Sequence, residues 1–363
     1  MTGRQAEQPE GAGRLAEWLT RHRAAWSQMV RVMIACAVTY GIFKLFGLEQ
    51  GYWAVFTVLI VMQGSVGATL GAAMDRLIAT VAGALVGGVA VLVTPHRPLE
   101  IGVALVVVAG ASTLVATLNP RLRNAGLTAA IVILTRAPDV PVLTFVIHRI
   151  LEIAMGGIIG VIASRLILPA RSTTALVEKL GSVLTSIAET LRMQAEALEG
   201  AKAFSWAETG ISLRTALTAT EALLADAGRE RSARLEKRIV SDAIPRNLWR
   251  IRNDITHINR LIETPFNPAM LAVVGGPAAM LLRAEGAFAD RCGSALKQGA
   301  RVVRDEDDEA LHAFEAAFAA LRQSEVAQDM AFDDAGRLFG LAFALQRMRQ
   351  DLLDLADRID ESR

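Results

Sequence analysis

The sequence has few of the residues that build disulfides, metal centres or aromatic cages. It contains two cysteines, Cys36 in an apolar run and Cys292 in a polar one, and only 5% of its residues are aromatic. Two isolated cysteines without a His/Cys cluster exclude a disulfide framework and a metal centre, and we expect no cofactor. No nucleophile, base and metal converge anywhere in the sequence, so we expect no enzyme. The net charge of +1 leaves no concentrated basic face, which excludes a nucleic-acid partner.

Acidic side chains are also scarce between residues 29 and 170, whereas they are dense, together with Arg, from residue 172 onward. The first 28 residues are polar and Arg-rich and carry no apolar core that ends in a small-residue cleavage site. We therefore expect no secretory signal peptide. This division predicts a cytosolic N-terminal segment (1–28), a six-span transmembrane domain (29–171) and a cytosolic all-helical domain (172–363).

Long apolar runs fill the middle part. A membrane span needs roughly 20 mostly apolar residues, and six candidates are about 31–48, 52–73, 77–94, 101–119, 125–147 and 149–168. The Lys and Arg residues that flank them favour N- and C-termini in the cytoplasm of a bacterial inner membrane, with lipid around the spans.

The C-terminal part has helical periodicity throughout, which is typical of a helical bundle. Predicted helices run near 172–198, 204–226, 231–263, 268–299, 306–323 and 332–361. Residues 244–261 alternate Arg with Leu and Ile, a pattern that fits either a dimer contact or a domain core.

Two of the candidate spans are interrupted, the second at residues 63–67 and the fifth at residues 136–139. Each interruption precedes an Arg-x6-Gly-x3-Gly pattern, beginning at Arg76 and at Arg149, and Arg149 follows Arg76 by 73 residues. Interrupted helices at matching places in two halves are the sequence signature of a transporter built from inverted repeats, with its binding site at the breaks. The sequence therefore predicts an all-α fold with an inverted 3+3 repeat.

Several of these residues together resemble one family: Tyr52–Thr57 leading to Gln63, Gly67-Ala68-Thr69, Arg76-x6-Gly83, and Arg149-Ile150-Leu151-Glu152-x3-Gly156 running to Pro169. The pattern is similar to the fusaric acid resistance and aromatic acid exporter family, and to the plant malate channels. The resemblance implies a six-helix membrane unit followed by a helical cytosolic domain, and a pore made by two units, hence a homodimer. It also implies export of aromatic carboxylates driven by proton influx. One departure is Gly64 after Gln63, where family members often have Pro.

Arg136 is the first candidate for binding an anionic solute, because a guanidinium stays charged and its planar fork fits a carboxylate. The alternative is that the fifth helix ends at Thr135 and that Arg136 is an ordinary outer-loop charge. Asp139 is either its partner in the empty state or a turn residue. At the first break, Gln63, Ser65 and Gly67 offer polar groups to a pore or form a helix-packing seam of small residues.

Arg76 and Arg149 are either the two mouths of an anion path or interfacial anchors. Glu152 and His148 lie four residues apart on one helical face, which suits proton coupling. The alternative is that Glu152 pairs structurally with Arg149 or Arg76.

We predict an exporter of small organic anions that works as a homodimer. A passive organic-anion channel and a membrane-anchored scaffold or sensor are the alternatives, and a periplasmic adaptor is left open as a further partner.

Overall fold

The computed structural model describes residues 23–48, 50–94, 97–135, 140–200, 206–233, 235, 239–304, 308–328 and 330–362, and every regular element in these ranges is helical. The chain divides into two compact units, Met1–Ser172 and Thr173–Arg363.

In its described residues, the first unit contains six α-helices and a short 3₁₀ turn, Pro120–Leu122, which precedes the fifth helix. In chain order the helices are α1 (Arg23–Leu45), α2 (Tyr52–Val61), α3 (Val66–Val93), α4 (Pro98–Leu118), α5 (Ala125–Thr135) and α6 (Val142–Leu166). Four of them are long and apolar enough to cross a membrane, namely Ala25–Leu45 of α1 and the whole of α3, α4 and α6. The other two, α2 and α5, are short: 10 and 11 residues.

The predicted second and third spans have different bounds in the structure. The chain breaks at residues 62–65 after the short α2, and α3 then runs without interruption through Asp75 and Arg76, where the sequence suggested a gap between spans. Ser65 begins α3 by accepting a hydrogen bond from the backbone N–H of Ala68 (3.1 Å). A capping side chain marks a helix start, whereas two charged residues inside an apolar run do not end a helix.

The predicted fifth span, which was to continue through its break to Ile147, is wrong for a similar reason. Helix α5 ends at Thr135, and a separate helix begins at Val142, directly after Pro141. Proline lacks an N–H and fixes φ, so a helix accepts it at its start and not in its interior. The sixth helix therefore begins seven residues before Arg149.

Helices α3 and α6 pack against each other in opposite directions. Ser164, near the end of α6, lies beside Thr69 at the start of α3, with their hydroxyl oxygens 3.2 Å apart. At the other end, a β-carbon on Gly88 of α3 would lie 3.5 Å from Val146 Cγ2, near the start of α6. Since the residue order is reversed between these two contacts, the helices are antiparallel.

Each of these long helices crosses one short helix through glycine. A β-carbon on Gly83 of α3 would overlap the carbonyl oxygen of Ala125 in α5, and one on Gly156 of α6 would overlap that of Ala54 in α2. Only residues without a side chain allow backbones to approach this closely. The same residue type therefore makes the same kind of crossing in both halves of the unit.

The second unit consists of seven helices in the part that the structure describes: α7 (Ser172–Leu198, whose first residue closes the first unit), α8 (Trp206–Ser232), α9 (Ala243–Ile262), α10 (Pro268–Gln298), α11 (Glu309–Gln323), α12 (Glu325–Gln328) and α13 (Phe332–Glu361). The predicted helix over 231–263 begins only at Ala243, since residues 239–242 are not helical and Pro245 occupies the first turn. Helix α10 also meets the length and hydropathy of a membrane span. It carries Arg283, Glu285 and Asp290, however, and half of its most apolar window is buried inside the unit.

The pattern at residues 244–261 builds the core of this unit. Ile244, Leu248, Ile251, Ile255 and Ile258 follow helical spacing on one face of α9, and all five are fully buried. They belong to one hydrophobic cluster with α7, α10 and α13. Of the two interpretations that the sequence left open, the structure supports the domain core.

Candidate functional site

The break between α2 and α3 lies beside the last residues of the membrane unit. The backbone N–H of Val66 donates to the carbonyl of Ala170 (3.1 Å), which follows the end of α6. On the other side, Arg31 of α1 donates to the carbonyl of Gly64 (3.3 Å). The break therefore lies beside the end of α6. Its free carbonyls are satisfied by protein groups, as backbone in a membrane requires.

The three candidate residues of this break have structural partners or lie in a helix start. Gln63 is exposed, and its Nε2 donates to the carbonyl of Ile60 in the preceding helix α2 (3.2 Å). Ser65 is buried and caps α3, while Ser172 donates a second hydrogen bond to it (2.8 Å). Gly67 is buried in the first turn of α3. Contact of these residues with a solute stays a prediction. Arg136 and Asp139 lie outside the described residues.

Arg149 forms the centre of a second group of residues at the other end of α6. Its side chain is only 1% exposed, and Nη1 lies 3.2 Å from Oε2 of Glu152, one helical turn further along. Nη2 donates to Oε1 of Gln50, which directly precedes α2. The guanidinium carbon lies 4.5 Å from the ring centroid of Trp53 and 5.2 Å from that of Phe145, so the cation is enclosed by aromatic faces.

Two N–H donors of this group have no acceptor. Nε of Arg149 and Nε1 of Trp53 are buried and make no hydrogen bond within the described part of the chain. A buried donor without a partner costs about 1–3 kcal/mol. The group therefore has a charge and two donors that an anion with several acceptor oxygens would satisfy.

A cavity of about 670 Å³ lies next to this group. Such a volume lies within the usual range of small-ligand sites, about 300–1,000 Å³. Gln50, Phe145, His148 and Glu152 line it, together with apolar side chains such as Leu48. His148 and Glu152 therefore face the same space, as the predicted helical face requires, and the carboxylate that holds Arg149 also borders the cavity.

Arg76 occupies the matching position of the other half and has different surroundings. It is 2% exposed, and its Nε and Nη1 are buried without a hydrogen bond to any described residue. Its neighbour Asp75 does not neutralise it, since that carboxylate lies 3.8 Å from Nε of Arg121. The residue three positions after Arg76, where Glu152 follows Arg149, is the fully buried Ala79.

The sequence interpretation named Arg149, Glu152, His148 and Arg76 but missed Gln50 and Phe145, and it assigned Trp53 only to the membrane interface. Arg149 and Gln50 are 99 residues apart. Which side chain meets Arg149 depends on how α2 packs on α6, and no local pattern reports that packing. The spacing of Arg149 and Glu152, three residues apart on one helix, was the only feature of the sequence that indicated a contact of Arg149.

The second unit also buries acidic groups. Glu285 of α10 is fully buried, and Nη1 of Arg349 is 3.5 Å from its Oε1. Burial raises the pKa of Glu285 to about 7, although Arg349 opposes the shift. Burial and the neighbouring carboxyl of Asp351 likewise raise the pKa of Asp254. Across the described ranges, no three His, Cys, Asp or Glu side chains are grouped so that they could hold a metal ion.

Several apolar helices of membrane-spanning length are typical of a multi-pass membrane protein. Residues 34–163 match the family described as fusaric acid resistance protein-like, whose members are membrane transport proteins and not enzymes. The resemblance found in the sequence is thereby confirmed for these residues, which include α2 to α5 and most of α1 and α6. No curated protein matches the chain.

Proposed function

We propose that the protein exports small organic anions, aromatic carboxylates in particular, across the inner membrane of a bacterium. The observation that carries the proposal is the Arg149 group: a buried guanidinium and two donors without acceptors beside a cavity. A carboxylate matches the fork of a guanidinium, and the rings of Trp53 and Phe145 offer an apolar surface to an aromatic body. The family match supports transport as the class of activity.

We propose further that the membrane unit is an inverted 3+3 repeat. Support comes from the antiparallel packing of α3 and α6 and from the equivalent glycine crossings at Gly83 and Gly156. The order of helices is also the same in both halves, with a long, a short and a long helix. In this arrangement Arg76 and Arg149 are equivalent cationic sites toward opposite faces of the membrane. Homodimer formation, cytoplasmic termini and a cytosolic second unit remain part of the proposal and rest on the family resemblance and on the flanking charges.

A passive anion channel is the second candidate function. The observation that favours it is Arg76, because a buried cation without a carboxylate attracts an anion whether or not a proton is bound. Proton coupling through Glu152 and His148 belongs to the exporter and is not needed by the channel.

The test is uptake of labelled p-hydroxybenzoate and malate into inverted membrane vesicles, with and without an imposed pH gradient. We compare the parent with Arg149→Lys, which keeps the charge and the partner Glu152 but loses the planar fork. Arg97→Lys, at a side chain that is 82% exposed, is the matched control. Arg136→Ala tests the candidate outside the described residues.

We expect p-hydroxybenzoate uptake to respond to the pH gradient, to fall about tenfold or more in Arg149→Lys, and to remain unchanged in Arg97→Lys. Malate flux that ignores the gradient would favour the channel. Transport that survives both Arg149→Lys and Arg136→Ala would contradict the proposal that these arginines bind the anion. Absence of flux for both solutes would favour a scaffold.

A further inference from the structure

Glu152 and a bound carboxylate would need the same partner. Glu152 holds Nη1 of Arg149 at 3.2 Å, and its side chain borders the cavity in which a solute would lie. The other terminal nitrogen of Arg149 is bound to the neutral oxygen of Gln50. A guanidinium that is already paired with a carboxylate offers less attraction to a second anion, because the net charge of the pair is zero.

We propose that Glu152 is a tethered counter-anion, which occupies Arg149 in the empty site and is displaced when a solute carboxylate binds. This inference rests on the proposed function and concerns the regulation of the same site. The inference fixes the sign of the coupling between proton binding and anion binding. A proton on Glu152 removes the charge that competes with the solute for Arg149, so the proton and the anion bind together.

The other half of the membrane unit lacks this counter-anion. Ala79 lies three residues after Arg76, as Glu152 does after Arg149, and cannot compete for a guanidinium. Two equivalent cations therefore differ in one respect, which is the presence of an internal carboxylate. Proton dependence is accordingly a property of the Arg149 site and not of the Arg76 site.

Other charged or titratable side chains lie around α6. Among the described residues, the ion pair that Glu152 forms is the one with Arg149. Helix α6 itself also carries His148, which lines the cavity. Among the described side chains, the remaining groups of this kind on α6 and on the helices packed against it are Arg31, Cys36, Tyr40, Lys44, Tyr52, Asp75, Arg76 and Arg165. His148 lines the same cavity as Glu152, so the test must separate the two.

The experiment measures binding of p-hydroxybenzoate to the purified full chain between roughly pH 5 and pH 8, the range in which His and perturbed carboxyl groups titrate. Glu152→Gln keeps the shape and one acceptor for Arg149 but removes the charge. We expect the parent to bind more tightly as the pH falls. Glu152→Gln should bind about tenfold or more tightly than the parent at the alkaline end, which is the lower end of the coupling of close charge pairs, and should lose the pH dependence.

His148→Gln is the matched control and should keep the pH dependence of the parent. Loss of the pH dependence in His148→Gln, or unchanged affinity in Glu152→Gln, would overturn the inference while leaving the exporter intact. A parent that binds no p-hydroxybenzoate at any pH would overturn both the proposed function and the inference.

Discussion

Arg76 in α3 and Arg149 in α6 each begin an Arg-x6-Gly-x3-Gly pattern, and both side chains are buried, with 2% and 1% exposed. Arg149 has a carboxylate, an amide oxygen and two aromatic rings around it. Two nitrogens of Arg76, in contrast, make no hydrogen bond to any residue that the structure describes. Burying a charge without a partner is costly, so this difference bears on stability as well as on binding.

The two helices are alike in their glycine crossings, at Gly83 and at Gly156, and differ in the residue three positions after the arginine. That residue is Glu152 after Arg149 and Ala79 after Arg76. Similar packing therefore leaves the two arginines in surroundings of different charge.

The largest expected effect is the stability difference between Arg149→Met and Arg76→Met. Arg149→Met leaves Glu152 as a buried carboxylate without its ion-pair partner and should cost about 3–5 kcal/mol. Arg76→Met removes a buried charge without a hydrogen-bonded partner at two of its nitrogens and should be neutral or stabilising. Denaturation midpoints of the full chain in detergent measure both effects.

The double variant Arg149→Met with Glu152→Gln is the control for this comparison. It removes both charges and should recover most of the stability that Arg149→Met loses, since no unpaired carboxylate remains. Equal losses in Arg76→Met and Arg149→Met would show that the two arginines have equivalent partners, and the comparison would fail.

The second prediction extends the comparison to an ion pair in the other unit, where Arg349 serves two carboxylates, Glu285 and Asp308. Burial raises the pKa of Glu285 from 4.5 to about 7. Between these pH values the folded chain keeps the proton and the unfolded chain releases it, so stability falls as the pH rises and levels off above about 7. Glu285→Gln should therefore be more stable than the parent at pH 8, by up to about 3 kcal/mol.

Thermal unfolding of the parent and Glu285→Gln at pH 5 and pH 8 checks this effect. The quantity to compare is the difference between the two proteins, because other groups titrate in both. A stability difference that is the same at both pH values would mean that Arg349 holds Glu285 ionised throughout.

The smallest effects concern the glycine crossings and test whether the two halves are equivalent in packing. A β-carbon at Gly83 or Gly156 would overlap a carbonyl oxygen of the facing short helix. Overpacking of this kind costs roughly 1–3 kcal/mol, so Gly83→Ala and Gly156→Ala should lower the melting temperature by similar amounts. Gly102→Ala and Gly110→Ala in α4 meet no atom within 4 Å and are the controls. A loss in only one of the two crossings would break the structural equivalence of the halves.

Much of the fold was predictable because apolar run length and glycine spacing are local properties. The helical character of the apolar part and the break after α2 follow from such patterns, whereas for residues 244–261 the sequence left two interpretations open. The bounds of α3 and α6 did not follow from such patterns, because Asp75 and His148 suggested gaps that the helices pass through. What starts these helices is the Ser65 cap and Pro141, whose effect on the backbone exceeds that of a charged side chain in an apolar run.

The candidate site was predictable only where its members share a helix. Arg149, Glu152 and His148 lie within one turn of each other, so spacing alone brought them together. Gln50 and Trp53 come from a segment, the start of α2 and the residues before it, that is distant in sequence. Arg76 was visible as a charge, but which of its nitrogens meet an acceptor among the described residues depends on every neighbour at once. Asp75, beside it in sequence, lies near Arg121 instead.

The sequence by itself determined an apolar helical unit and a polar helical unit after it, because hydropathy and periodicity act over one or two turns. Only the tertiary structure decided that Arg149 meets Gln50 and Trp53, while two nitrogens of Arg76 make no hydrogen bond to the described residues. The physical reason is that the cost of a buried charge depends on its surroundings, and packing brings those surroundings from distant parts of the chain.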